Sequence, residues 1–261
     1  MSTQAPRVIA PRNIVPLAFE ADQSLRPHAL EYHGGPLLSS VEVVTIFWGR
    51  FWALAAGTVL ADKLNVFFDV TLRGALMQAL AEYSTARYPI GPGARIASFA
   101  DSLENPGTLT TSGQTVTDVQ IRSRLRQWIE MGKIPAPTAN TLYFLYLSPA
   151  VISQQGPLES CKDYCGYHHF SEHVSQNIYY AVEPFPSCPA CSFGTDFDTL
   201  TKASSHELCE AITDPELNGW FDPSTGNEVG DICNSRAKRL DGYLVQELWS
   251  NQRSACGLPK P

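Results

Sequence analysis

Residues 204–217 read SSHELCEAITDPEL, and the rest of the chain is best understood from this stretch. It has the pattern of the last turns of a helix that ends in a turn. His206 and Glu210 are four residues apart, so at about 3.6 residues per turn they project from the same face of the helix. Zinc peptidases use this spacing for two ligands, and the glutamate after the first ligand is their general base. The stretch therefore predicts His206 and Glu210 as metal ligands and Glu207 as the base, with a glutamate standing where the second histidine is usual.

A purely structural helix is the alternative interpretation of the same residues. Leu200, Leu208 and Ile212 form an apolar stripe, whereas His206 and Glu210 lie on a different face. An amphipathic helix whose histidine and glutamate face solvent would have the same pattern. The choice between the two interpretations therefore depends on the residues that follow.

Residues 222–231, DPSTGNEVGD, contain the carboxylates that could complete a zinc site. Such a site needs a third protein ligand and keeps one position for water. Asp214 would lie about 12 Å along the axis from His206, which is too far while the helix is straight. Glu228 or Asp231 can return from the loop and is predicted as the third ligand. A polar turn and a calcium-binding loop are the alternatives, because hard oxygen ligands are abundant here.

Apolar periodicity predicts the order of the secondary structure. The β-branched and aromatic runs at 41–49 and 141–147 predict strands, the first of them central in its sheet. The other predicted elements are strands at 95–100, 177–182 and 243–249 and helices at 59–83, 117–132 and 196–213, the last capped by Asp196 or Asp198. The strand at 177–182 is expected at a sheet edge because it lies between loops.

The chain is predicted to have one main domain. Residues 1–40 are rich in proline and poorly periodic, which indicates an extended N-terminal arm. No linker divides residues 41–261, so they are predicted to form a single α/β (α+β) domain with a mixed β-sheet and packed helices.

Composition narrows the classes of partner. The 261 residues are 44% hydrophobic and 17% charged, which is typical of a globular protein rather than a disordered one. The net charge of −7 argues against nucleic acid or anionic lipid as a partner, and the basic cluster at 122–126 is interpreted as a solvated helix face.

No apolar run reaches the ~18–20 residues of a membrane span. Residues 1–19 lack the apolar core of a signal peptide, and the sequence gives no indication of the oligomeric state.

The chain has seven cysteines, and their spacing allows either a zinc site or disulfide bonds. Cys161, Cys165, Cys188 and Cys191 could form a four-thiolate zinc site, or two local or crossed disulfides. Cys209 lies in the candidate metal helix and would be the odd thiol.

A second candidate group is CGYHH at 165–169. Cys165 and a histidine could form a thiolate–imidazole pair, but a loop rarely arranges them so, and Cys165 has other cysteines available. His168 or His169 is instead predicted to orient a substrate or to bind metal. His168 and Tyr243 are the catalytic candidates for stabilising an oxyanion.

Taken together, these motifs resemble the EXORDIUM (phosphate-induced protein) family over most of the chain. The segments that carry the resemblance are YHGGPL at 32–37, VVTIFWG at 43–49, CGYH at 165–168, CPAC at 188–191, HELCE at 206–210 and EVGDIC at 228–233. The chain looks like a bacterial or fungal-type member, with Cys209 where the family has alanine. Plant members are secreted, cell-wall-associated proteins linked to growth. The resemblance therefore implies an extracellular protein with disulfides, and it implies that His206, Glu207, Glu210 and Asp231 act together.

One main hypothesis about function follows, with two alternatives. The main hypothesis is a zinc-dependent hydrolase, most simply a peptidase of zincin-like architecture acting on a peptide or protein, in which Glu207 takes a proton from water activated by zinc. Calcium and manganese are alternative metals, because two carboxylate ligands make a bound ion less Lewis-acidic. The first alternative is a non-catalytic secreted binding protein, associated with the cell wall and holding at most a structural metal. The second is a carbohydrate-binding surface formed by Trp48, Trp52 and Trp220.

Overall fold

The computed structural model describes residues 14–16, 29–110, 113–174 and 176–258. Of the predicted N-terminal arm, residues 1–13 and 17–28 therefore lie outside the described residues.

Sixteen strands and four α-helices are described, together with four short 3-10 helices at 50–53, 81–83, 189–191 and 231–233. The strands are β1 (Ile14–Pro16), β2 (Glu31–Tyr32), β3 (Glu42–Trp48), β4 (Ala94–Asp101), β5 (Thr108–Thr110), β6 (Gly113–Thr117), β7 (Thr141–Leu147), β8 (Val151–Gln155), β9 (Leu158–Glu159), β10 (Tyr164–Ser171), β11 (Ile178–Glu183), β12 (Trp220–Phe221), β13 (Ala237–Leu240), β14 (Tyr243–Gln246), β15 (Leu248–Ser250) and β16 (Ala255–Gly257). The α-helices are α1 (Ala55–Thr71), α2 (Ala75–Leu80), α3 (Asp118–Glu130) and α4 (Asp196–Thr213).

Six strands form the main sheet in the order β1-β10-β11-β7-β3-β4. Strands β4, β3, β7 and β11 run parallel to one another, whereas β10 is antiparallel to β11 and β1 is antiparallel to β10. Parallel neighbours need long crossover connections, and α1 and α3 lie within two of them. The predicted mixed sheet with packed helices is therefore confirmed as an α+β arrangement.

A hydrophobic core lies on each face of this sheet. Helices α1, α2 and α4 cover one face, where Leu64, Phe67 and Leu208 are buried. Helix α3 covers the other face with Ile121 and Leu125. Strands β3 and β7 are buried along almost their whole length, as expected for strands covered on both faces. Each fully buried large apolar side chain contributes about 1.5–3 kcal/mol, so these two layers fix the sheet against which α4 packs.

Helix α4 is buried along most of its length, although many of its residues are polar. Every residue from Thr199 to Thr213 is buried. The helix is capped by Thr195, which accepts a hydrogen bond from the Asp198 amide, so the predicted cap at Asp196 or Asp198 is wrong. The interpretation of this segment as a solvated amphipathic helix is also wrong, because its histidine and glutamates do not face solvent.

Three predicted elements differ from the observed ones. The helix predicted at 59–83 is divided into α1 and α2, because the chain leaves the helix before Gly74. The segment 177–182 forms β11 in the interior of the sheet, since the unpredicted β10 pairs beyond it. The strand predicted at 243–249 is divided at Glu247, whose amide donates to the carbonyl of Arg236.

The described part of the predicted arm is integrated into the fold. Strand β2 pairs with β12, and β1 pairs with β10. Leu30, Leu37 and Leu38 are buried in the core that α4 shares. These residues precede residue 41 in the chain, and they pack against the rest of the fold.

Three disulfides hold the segments on either side of α4. They are Cys161–Cys188, Cys165–Cys191 and Cys233–Cys256. The first two join the start of β10 to the 3-10 helix that precedes α4, and the third joins the 3-10 helix at 231–233 to β16. The sequence separations of 23–27 residues correspond to about 3 kcal/mol each in the chain-entropy estimate. The structure thus supports disulfides over a four-thiolate zinc site, and Cys209 is the buried free thiol.

Candidate metal centre

Three separate elements bring histidines and carboxylates together beside α4. The helix contributes His206 and Glu210, which share one face as their spacing requires. Strand β10 contributes His168, and the segment that leads into the 3-10 helix at 231–233 contributes Glu228 and Asp231. All five residues are buried except Asp231, whose side chain is 9% exposed.

The first group of ligand atoms is built around His206. Its Nε2 atom lies 2.9 Å from Glu210 Oε1 and 3.7 Å from Asp231 Oδ1. The backbone amide of Asp231 donates to the same Glu210 Oε1 at 3.1 Å. This hydrogen bond fixes residues 228–231, called the returning segment below, against the helix. One ligand atom from each of the three residues lies within 4.8 Å of the others. Of the two predicted third ligands, Asp231 is therefore the one beside His206.

The second group is built around His168. Its Nε2 atom lies 3.3 Å from Glu228 Oε2 and 3.8 Å from Glu210 Oε2, again within a radius suitable for one ion. Glu228 thus faces His168 and not His206. Two carboxylates lie beside the ring of His168. The predicted roles of His168 in metal binding, substrate orientation and oxyanion stabilisation stay predictions.

Burial sets the protonation of both groups. It raises the pKa values of the Glu210 and Glu228 carboxyls well above the ordinary range, and nearby carboxylates raise that of Glu228 further. It lowers the pKa of His168 to about 3 and that of His206 to about 4, so both imidazoles are neutral at physiological pH. Neutral imidazole is the form that binds metals. Glu210 Oε2 and Glu228 Oε1 are buried and accept no hydrogen bond from the described residues, so a cation fits this set of donors.

A chain of hydrogen bonds fixes the returning segment against α4 and β14. Gln246 Nε2 donates to the Gly230 carbonyl at 2.6 Å, and its Oε1 accepts from Lys202 Nζ at 3.0 Å. The backbone N–H of Gln246 donates to Ser205 Oγ at 2.9 Å. A β-carbon on Gly230 would lie 2.8 Å from His206 Nδ1, so only glycine lets the segment approach this closely.

The remaining predicted site residues are placed as follows. Glu207 is wholly buried, and its charge is near enough to raise the pKa of Glu228. The ring of Tyr243 packs against Phe67 and Phe197, at centroid distances of 5.3 and 6.1 Å. The general-base role of Glu207 and the oxyanion role of Tyr243 both stay predictions.

Other sequence features have structural roles. Trp48 and Trp52 are buried, and the half-buried Trp220 donates its indole N–H to the Tyr83 carbonyl. The three rings thus do not form an exposed stacking surface for sugars. In the basic cluster, Arg122 pairs with Asp118 on the partly exposed surface of α3.

The sequence does not indicate Gly230 or Lys202 at the centre, and it indicates His168 without its carboxylate partners. The segment at 165–169 reads as a loop, and its position beside α4 arises from pairing with β11. A lone lysine and a glycine in a polar turn have ordinary interpretations, so the sequence alone does not mark them. The signal for His168 was the CGYH segment, which resembles a motif of the EXORDIUM family.

The fold and the cluster define an α+β protein with a buried centre of two histidines and three carboxylates. Over 88% of its length the chain is 23% identical to "Protein EXORDIUM-like 5" of Arabidopsis thaliana, covering 77% of that protein. It is 21% identical over 88% of its length to "Protein EXORDIUM-like 3" of the same plant, covering 83% of that protein. These similarities support the resemblance to the EXORDIUM family. No family model and no solved structure matches the chain.

The described helices also bear on the predicted absence of a membrane span. None of those within the described ranges combines enough length with enough apolar sequence to cross a bilayer. The three disulfides are of the kind that persists in oxidising compartments.

Proposed function

We propose that the protein is a metal-dependent hydrolase of zincin-like architecture that acts on peptides, with zinc held by His206, Glu210 and Asp231. The observation that carries the proposal is the convergence of these three ligand atoms within 4.8 Å, two from α4 and one from a returning segment. Buried carboxylates without a cation are costly, which supports a bound ion. Imidazole nitrogen with carboxylate oxygen suits zinc, with manganese as the alternative.

The proposed chemistry assigns a separate role to each residue. A zinc ion would supply Lewis acidity and lower the pKa of a water molecule. Glu207 follows His206 directly on α4 and would take a proton from water as its oxygen bonds to the peptide carbonyl carbon, then return that proton to the amine that leaves when the C–N bond breaks. The backbone amide of Asp231 donates a hydrogen bond to Glu210 Oε1, so the third ligand is oriented before a metal binds.

The edge of the main sheet favours an extended peptide as the substrate. Strand β10 is the outermost long strand, and the three-residue β1 pairs with it antiparallel, with Ile14 opposite Tyr167 and Val15 opposite Gly166. Strand β1 also contacts α4. Its pairing ends next to His168, so an extended chain at this edge runs beside the centre. Addition of a strand to a sheet edge is a common mode of peptide recognition.

Substrate entry requires a covering segment to move. His206, Glu207, Glu210 and Glu228 are each wholly buried, so the centre is closed in this structure. Among the described segments, β1 has the fewest residues paired to the main sheet and lies directly at the edge in question. We therefore propose that a peptide substrate takes the place of β1.

The closed centre also favours a second candidate function. Structural metal sites are closed, whereas catalytic sites keep an open position. A secreted, cell-wall-associated binding protein whose metal is structural would explain the complete burial. Both candidates share an extracellular location, which the disulfides and the similarity to EXORDIUM-like proteins support.

The test is peptide hydrolysis by three variants of the full chain. Glu207→Gln should lower the rate by about 10²–10⁴-fold while the metal content and the thermal unfolding midpoint stay unchanged. Glu183→Gln is the matched control, since Glu183 is an equally buried carboxyl on β11 and should leave the rate unaffected. His206→Ala should abolish both metal binding and hydrolysis.

Each candidate function predicts a different outcome. Unchanged hydrolysis in Glu207→Gln would refute the base role. If the wild-type protein hydrolyses no peptide, and His206→Ala loses metal and stability together, the structural metal is supported and the hydrolase is refuted.

A further inference from the structure

We propose that the buried centre holds two divalent cations and that the carboxylate of Glu210 bridges them. The second cation would be held by His168 and Glu228. This inference rests on the proposed metal site at His206, and it adds a second site beside the first.

The two oxygens of Glu210 face different partners. Oε1 lies 2.9 Å from His206 Nε2 and accepts the amide of Asp231. Oε2 lies 3.8 Å from His168 Nε2. A carboxylate arranged in this way could bind one ion with each oxygen, and the ions of two-metal sites lie about 3.5–4 Å apart.

The candidate ligands form two sets, and Glu210 is the one residue that belongs to both. His206 and Asp231 belong to one set, and His168 and Glu228 to the other. In each set the candidate ligand atoms lie within 4.8 Å of one another. A cation at the first site would therefore leave Glu228 and His168 facing each other without an ion between them.

Two carboxylate oxygens on the second side have no hydrogen-bond partner among the described residues, whereas Glu228 Oε2 lies 3.3 Å from His168 Nε2. Glu210 Oε2 and Glu228 Oε1 are wholly buried and accept no hydrogen bond from the described part of the chain. Buried carboxylate oxygens in native proteins are paired or bind metal ions. Lys202 of α4 donates a hydrogen bond to Gln246 and lies over the ring of Phe193. It therefore does not donate to these two carboxylate oxygens.

The ligand types define the class of cation. Each set combines one imidazole nitrogen, which suits zinc, with carboxylate oxygens, which suit manganese; calcium takes oxygen ligands only. The elements that carry the ligands are tied in place, since Cys165 precedes His168 on β10 and Cys233 follows Asp231, and both cysteines form disulfides. Rigid support of this kind keeps two ions at a fixed separation.

The experiment is metal counting combined with electron paramagnetic resonance on the full-length protein loaded with Mn²⁺. We expect two Mn²⁺ per chain and a spin-coupled spectrum, because a shared carboxylate couples adjacent ions. Glu228→Gln should lose one Mn²⁺ and give the six-line spectrum of an isolated ion. Glu183→Gln is the control, since it removes a buried carboxyl that belongs to neither set.

The possible outcomes separate this inference from the proposed function. One uncoupled Mn²⁺ that is lost in His206→Ala and retained in Glu228→Gln refutes the second site and leaves the first standing. One Mn²⁺ lost in both variants means a single shared ion and also refutes the second site. No bound Mn²⁺ or zinc in the wild-type protein refutes both proposals. The coupled spectrum is measured on the wild-type protein, so the test does not depend on a variant that folds poorly.

Discussion

Replacing Lys202 with methionine should change the way in which stability depends on pH. Lys202 is buried, its Nζ donates to Gln246 Oε1, and it lies 3.9 Å from the centroid of the Phe193 ring. Burial lowers the pKa of its ammonium group from 10.5 to about 7. The folded protein therefore releases a proton that the unfolded chain keeps over a wide range of pH.

The sign and size of the effect follow from linkage. Below about pH 7 both states carry the proton, and the full cost of burying the ammonium group is present. Between about pH 7 and 10.5 the unfolded chain binds more protons, so the free energy of unfolding rises with pH. With folded and unfolded pKa values of about 7 and 10.5, the wild-type protein should gain about 2.5 kcal/mol relative to Lys202→Met between about pH 6 and about pH 9.

Urea unfolding at the two pH values measures this difference directly. The methionine variant leaves Gln246 without its donor, but that cost is the same at both pH values and cancels. Lys133→Met is the matched control, because Lys133 is exposed and its variant should run parallel to the wild-type protein. Metal content is matched between samples, since an ion nearby would change the local charge. Parallel curves for Lys202→Met and the wild-type protein would refute the assignment of a buried, titrating lysine.

Two further predictions concern the interior around α4. Gly230→Ala should weaken Zn²⁺ binding at least about tenfold and cost about 1–3 kcal/mol of stability, because the added carbon would lie 2.9 Å from Glu210 Oε1. Gly91→Ala, whose nearest neighbour would be 3.8 Å away, is the control, and equal Zn²⁺ affinities in a competition titration would contradict the steric argument. Burial raises the pKa of the Cys209 thiol well above its usual value, so a thiol reagent at neutral pH should label it only after unfolding, as followed by mass spectrometry. Rapid labelling of the native protein would show that the helix opens easily.

The elements that the sequence predicted well are those whose burial pattern is local. The apolar run at 141–147 can be stable only as a covered strand, and it forms β7. Thr117 and Gln120 form a capping box at the start of α3, close to the predicted boundary. Both cases depend on residues within one segment, so a single sequence is sufficient to find them.

The features that the sequence did not predict depend on contacts between distant segments. Strand β10 contains cysteine, glycine and two histidines, and it becomes a strand through pairing with β11. The division of ligands between His206 and His168 follows from the position of β10, so helical spacing could predict only the first set. Likewise, the spacing of His206 and Glu210 predicts a shared face but not whether that face is solvated.

The buried polar composition of α4 favours a functional role for this helix over a purely stabilising one. A helix buried from Thr199 to Thr213 would be more stable with apolar residues, because moving an ionised group from water into the interior costs several kcal/mol. Yet α4 carries Lys202, His206, Glu207 and Glu210 in the interior. The three disulfides restrict the segments before and after the helix, and together they offset part of that cost. A polar interior held by covalent cross-links is consistent with the proposed metal centre, whose ion would either take part in catalysis or stabilise the fold.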